Sequence, residues 1–143
     1  MPQTHTTASE LQATLQLLRS AWQARKPDYA QRRADLKALR GAVKAQLPQM
    51  VAAIDSDFGQ RSAAESRIAE GMTVLSAIDH LLSHLRDWMR PSPVGAGWRL
   101  SPARAELRHV PLGVVGVISP WNYPVNLALI PLALRGVKYR AAG

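Results

Sequence analysis

Between Ile68 and Trp88 the residues Ile68, Met72, Leu75, Ile78, Leu82, Leu85 and Trp88 recur every three or four positions, and this stripe constrains the fold more than any other feature. At 3.6 residues per turn, that spacing lines one face of a helix. A face of this length must be covered, so the chain is expected to pack helices along a shared seam, and the stripe reads as packing surface rather than a cofactor site. Ser62-x-x-Glu65 has the spacing of a capping box and opens this helix. Thr7-x-x-Glu10 repeats the signal before Leu11, Leu15, Leu18 and Trp22, which predicts a first helix over about 9–25. After Pro27 and Asp28, a second stripe runs through Tyr29, Arg32, Leu36, Leu39, Val43 and Leu47. Proline has no backbone N–H, so Pro48 is expected to end that helix or to sit in the first turn of another carrying Met50, Val51, Ile54 and Phe58. Gly59 is the expected stop.

The pattern changes after Arg90. Pro91 to Gly97 is rich in breakers and reads as a linker. Arg104, Glu106 and Arg108 alternate with Ala105, Leu107 and His109, which suits an edge strand. Val114 to Ile118 is a short β-branched run bounded by Gly and Pro, the pattern of a buried parallel strand. Pro124 to Leu134 reads as a helix laid against it. Strand, turn and helix open a βαβ unit whose second strand is not among these residues, so the fold class is α/β, helices first, and incomplete. The expected organisation is a helical segment over 1–90, a linker and edge strand over 91–110, the start of a cofactor-binding domain over 111–134, and a divergent tail over 135–143.

Composition removes several function classes. The 143 residues contain no cysteine, which excludes disulfides, thiolate metal ligands and a thiol nucleophile within them. The net charge of +8 raises the question of nucleic acid. Residues 1–90 carry twelve basic and nine acidic side chains, however, and pairs such as Arg32 and Arg33 sit beside Asp28 and Asp35, the mark of a mixed solvated face. No nucleic-acid partner is expected. The start, MPQTHTTASELQ, lacks the cationic and apolar sections of a secretory signal, so the expected location is the cytoplasm. Leu112 to Leu134 is free of charge, yet Pro120, Pro124 and Pro131 with Asn122 and Asn126 would leave polar groups unpaired in lipid, so no membrane span is expected.

The turn after the Val114–Ile118 run occupies the place where ligands bind in open α/β sheets. Its glycines do not form G-x-G-x-x-G, so dinucleotide-motif reasoning alone adds little. The fourteen residues PLGVVGVISPWNYP, Pro111 to Pro124, resemble a motif of the NAD(P)-dependent aldehyde dehydrogenases without a gap. A looser resemblance covers about 10–134, where SDFGQRSAAESRIAE and HLRDWMRP look like the coniferyl-aldehyde dehydrogenase branch. The resemblance implies an oxidoreductase that converts an aldehyde to a carboxylic acid with NAD or NADP, on an aldehyde dehydrogenase-type Rossmann-like domain, in a homo-oligomer of the complete enzyme. By that resemblance Asn122 is the catalytic oxyanion donor. Ile118, Ser119, Pro120 and Trp121 line the cofactor cleft, and Tyr123 lines the substrate tunnel. A neutral amide suits an oxyanion because it donates without titrating. Read without the resemblance, Asn122 is a turn asparagine bonded to local backbone, and Pro120 and Trp121 are parts of a tight packed turn.

The family also implies a nucleophilic cysteine, a glutamate base, a lysine in a K-P-S-E-like segment and a glycine-rich turn, and these residues contain none of them. Lys138 stands too early to be that lysine, and the tail RGVKYRAAG echoes the family sequence at a shifted position, as a frameshift, premature stop or truncated gene model would leave it. The expected chain is therefore a fragment inactive by itself. The alternative is a noncatalytic helical interaction module. No metal site is expected: His80 and His84 lack a third ligand, Asp55-x-Asp57 has its glycine in the wrong place for a calcium loop, and Asp57-Phe58-Gly59 has no kinase context.

Overall fold

A computed structural model of the chain describes residues 6–111 and 113–134; Leu112, Lys138 and the rest of the tail over 135–143 lie outside the described residues. Helix α1 spans Ala8–Ala24 and is closed at its start by a reciprocal box: Glu10 N–H donates to Thr7 Oγ1 at 3.3 Å and Thr7 N–H to Glu10 Oε2 at 2.7 Å. Helix α2, Tyr29–Phe58, begins where Asp28 Oδ1 accepts from Gln31 N–H at 2.8 Å and ends at Gly59 in the left-handed conformation. It corrects the sequence reading at Pro48, which lies inside one continuous helix rather than between two. The proline deprives only the Lys44 carbonyl of a helical partner, and that residue is exposed to water. Val43, Val51 and Ile54, buried on both sides of Pro48, keep the apolar face continuous through it.

The next rod is built in three registers: α3 (Ala63–Ser66), a π-helical segment (Arg67–Met72) and α4 (Thr73–Trp88). The expected stripe is only partly the buried one. Val74, Ile78, Leu81 and Leu85 are buried, whereas Ile68 and Met72 are exposed. A π turn takes one more residue than an α turn, which rotates every later side chain about the axis. Ile68 and Met72 stand on another side of the rod from the seam of α4. The core joins those four residues to Leu36 and Val43 of α2 and to Ala133 of helix α5, Pro124–Leu134. Helix α1 has no buried residue, against the expectation of a seam shared by all the helices. It touches the rest through Trp22, whose indole nitrogen stands 3.2 Å from where a Cβ on Gly113 would be.

Strand β1 (Ser92–Val94) pairs antiparallel with β2 (Ala105–Leu107), Pro93 opposite Glu106. The edge strand falls where alternation put it, but its partner lies in the segment read as a linker. A two-stranded ribbon has two outer edges, so Pro93 can be seated without breaking a ladder. The other correction concerns Val114–Ile118, which forms no strand; Val115, Val117 and Ile118 are exposed. Among the described residues no strand lies alongside to pair with it, and a parallel strand without a neighbour has no ladder to define it. No helix among the described residues is long and apolar enough to cross a membrane.

Candidate functional site

Residues 119–123 make a turn fastened at both ends. Ser119 Oγ donates to the Pro124 carbonyl at 3.0 Å and lies 3.2 Å from the Pro120 carbonyl. The Tyr123 carbonyl accepts from Leu127 N–H at 3.0 Å, which starts α5. A hydroxyl that bonds the backbone five residues on closes the loop without secondary structure. Ile118 and Trp121 stand out from it, 97% and 79% exposed.

Arg61, in the short connection between α2 and α3, grips this turn from the helical layer. Its Nη1 donates to the Asn122 main-chain carbonyl at 2.9 Å, and its Nη2 to Glu65 Oε1 at 3.2 Å. The guanidinium carbon lies 4.8 Å from the Tyr123 ring centroid and 5.1 Å from that of Phe58, both within cation–π reach. Phe58 in turn meets Trp121 at 6.3 Å between centroids. The Asn122 carbonyl is thus held, while no described residue hydrogen-bonds its exposed side-chain amide.

Glu70 is the buried charge behind this grip. Its side chain is 1% exposed, and its Oε1 has no hydrogen bond but lies 3.5 Å from Arg61 Nη1, whose side chain is 9% exposed. The other oxygen, Oε2, accepts from Asn126 N–H at 2.7 Å, in the first turn of α5. A carboxylate there satisfies an orphan donor and meets the positive end of the helix dipole. The π segment makes a second tie. Thr73 N–H reaches back five residues to the Ile68 carbonyl, bypassing Ala69, and the Ala69 carbonyl accepts from Asn126 Nδ2 at 2.8 Å. The π register therefore frees an acceptor for the helix that follows the turn.

Sequence reasoning singled out Ile118 through Tyr123, and the structure brings Trp121, Asn122 and Tyr123 together around Arg61. It does not join Ile118 to that cluster. Arg61 and Glu70 were missed. The sequence carried no signal for them, because Ile68 and Met72 run on at helical spacing through Leu75, Ile78, Leu82 and Leu85 without a break. Two clefts lie elsewhere. One of about 650 Å³ is bordered by Ile68, Met72, His80, Ile130 and Leu134, and another of about 430 Å³ by Trp22, Arg25, Arg32, Gly113 and Val114. Neither includes a residue from 118–123. His80 and His84 stack beside Trp88 with their ring centroids 4.2 Å apart, and no group of three metal-binding side chains occurs among the described residues.

Residues 3–135 match the model of the aldehyde dehydrogenase family. The chain belongs to that family. This aldehyde dehydrogenase segment is 41% identical over 125 residues to a protein of Pseudomonas aeruginosa described as a probable coniferyl aldehyde dehydrogenase, covering 87% of the chain and 26% of that protein. It is 40% identical over 81 residues to the coniferyl aldehyde dehydrogenase of a Pseudomonas species, covering 57% of the chain and 16% of that protein. The solved structure of the substrate-bound state of Staphylococcus aureus AldH superposes with a TM-score of 0.83 at 23% identity, over 89% of this chain and 28% of that one. The fold is therefore part of an aldehyde dehydrogenase fold, incomplete. The chain spans about a quarter of the length of the Pseudomonas aeruginosa relative.

Proposed function

We propose that this chain carries the oxyanion-binding corner and one wall of the cofactor cleft of an NAD(P)-dependent aldehyde dehydrogenase acting in the cytoplasm. The observation that carries the reading is Asn122 itself: its main-chain carbonyl is pinned by Arg61, while its amide is exposed and uncommitted to any described residue. A donor anchored by its backbone and uncommitted at its side chain is available for charge that develops on a substrate oxygen. Ile118, Ser119, Pro120 and Trp121 form the wall. Exposed Ile118 and Trp121 offer apolar surface to a flat ring, while Ser119 and Pro120 stiffen the turn, so these residues fit a nicotinamide cofactor on one side. When bound, NAD or NADP supplies the hydride acceptor. Tyr123, packed on Arg61, borders the aldehyde path. The Pseudomonas relatives favour an aromatic aldehyde of the coniferyl type as substrate.

The chain contains no cysteine to act as nucleophile, so it has no dehydrogenase activity by itself. Purified protein should form no NADH from coniferyl aldehyde and NAD; aldehyde-dependent NADH formation by these residues alone would refute this. The role of Asn122 is tested by joining residues 1–134 in frame to the remaining three quarters of the Pseudomonas aeruginosa relative. In that chimera Asn122→Ala should lower kcat about 10²- to 10³-fold. An unchanged kcat would leave Asn122 as a turn residue only.

One observation favours a second reading. Helix α1 buries none of its residues, and Leu11 and Leu17 are exposed, which suits a helical module that docks on a larger dehydrogenase subunit. Stable co-elution of the chain with the intact Pseudomonas aeruginosa relative on size exclusion would support that module; elution apart would exclude it.

A further inference from the structure

We infer that Arg61, backed by Glu70, is a positioning residue for Asn122: the pair sets where the Asn122 amide stands by holding the peptide plane from which its side chain leaves. The inference rests on the proposed role of Asn122 and names what that role requires of the helical layer.

The geometry is specific to this pair. Arg61 reaches the Asn122 carbonyl, the Tyr123 ring and the Glu70 carboxylate with one guanidinium. A planar fork does this where an ammonium cannot, because its donors are fixed in one plane and its face stacks on aromatics. Asparagine has only two side-chain torsions, so once its peptide plane is fixed the amide sweeps a small volume. Glu70 holds both sides of the arrangement, with one oxygen beside Arg61 and the other on Asn126 N–H of α5. The turn therefore lies between two points tied to one buried carboxylate, at Asn122 and at the first turn of α5. Misplacement of a catalytic group by about 1 Å can cost about 10²-fold in rate. A device far from the substrate can therefore control the corner without touching it.

The test reads position rather than turnover, so it can fail separately from the catalytic reading. In isotope-labelled 143-residue chain, the Asn122 carbonyl carbon and side-chain amide signals are compared in the parent, Arg61→Gln, Arg61→Lys and Glu70→Gln proteins. Methyl signals of Ile78 and Leu85 report the core. In Arg61→Gln the Asn122 carbonyl carbon should move upfield as its hydrogen bond is lost, and both side-chain amide proton signals, which stay distinct because rotation about the C–N bond is slow, should move toward their open-chain positions. Arg61→Lys keeps a cation against Glu70, so its core signals should match the parent while the Asn122 signals still move. Glu70→Gln should shift the Asn122 and Asn126 signals together. Asn122 signals unchanged in the Arg61 variants would overturn the inference. So would Asn122 signals that move only in step with the core methyls, or loss of the whole fold in both Arg61 variants, because either outcome makes the residue structural rather than positioning.

Discussion

The indole of Trp22 lies against the backbone at Gly113, where φ is +97° and a Cβ would stand 3.2 Å from the indole nitrogen. Two separate penalties meet there: a backbone conformation that side chains resist, and a rigid ring with little freedom to withdraw. Gly71 offers the contrast. A Cβ there would lie 2.4 Å from a terminal methyl of Leu47, but that leucine is half-buried and can rotate, and an alanine in a helix interior regains about 1 kcal/mol over glycine. Gly113→Ala should therefore cost about 1 to 2 kcal/mol, and Gly71→Ala should stay within about 1 kcal/mol of the parent. Urea denaturation midpoints check both, and equal losses would mean that Leu47 cannot yield. At this scale, legibility depended on where the information sat. Asn122 could be singled out as a candidate because its neighbours in sequence resemble a family motif. Arg61 could not, because its partners at Glu70, Asn122 and Tyr123 are brought to it only by folding.

Helices α2 and α4 are joined across their exposed rim by Arg40 and Asp79, whose groups meet at 2.6 and 2.9 Å in a two-pronged pair. Hydrogen bonds from Arg40 hold the Asp79 carboxyl below its ordinary value of 3.8. A carboxyl whose folded value lies below its unfolded one stabilises the fold fully above the ordinary value, and that contribution is lost as pH falls through the folded value. Asp79→Asn should therefore flatten the acid limb of a plot of thermal midpoint against pH and lower its neutral plateau slightly; curves of identical shape would show that the pair contributes nothing. The elements themselves were readable where local chemistry decides them. Thr7, Asp28 and Ser62 cap helices because their side chains reach backbone donors three residues on. Pro48 misled because its rule is local, whereas buried Val43 and Val51 on either side of it hold α2 together through packing. The π segment was hidden for a related reason: its warrant is the bond from Asn126 to the bypassed Ala69 carbonyl, across 57 residues.

At the scale of the whole molecule, the helical seam is closed by residues of this chain, and among the described residues the small ribbon is the one sheet. The core runs from Leu36 to Ala133, so α2, α4 and α5 cover one another. Val115 to Ile118 has neither a ladder nor a buried face. The β-branched composition there pointed to a buried strand, and among the described residues the segment forms none and has no neighbouring strand. Hydrogen exchange should report the division: amides of Ile78 and Leu81 protected, those of Val115, Val117 and Ile118 exchanging at nearly the rate of an open chain. Slow exchange at all three would mean that another copy of the chain pairs with them.

That unpaired segment also sets an order of events during synthesis. In a full-length member of the family, the ribosome releases the residues of the helical seam first, at about 5 to 20 residues per second. The helices can close on each other as soon as α5 emerges, since the core that joins them is made by residues from Leu36 to Ala133. The Val115 to Ile118 edge must then wait through translation of its neighbours, already mounted on a folded support, and during that interval it is the part of the nascent protein open to the wrong strand.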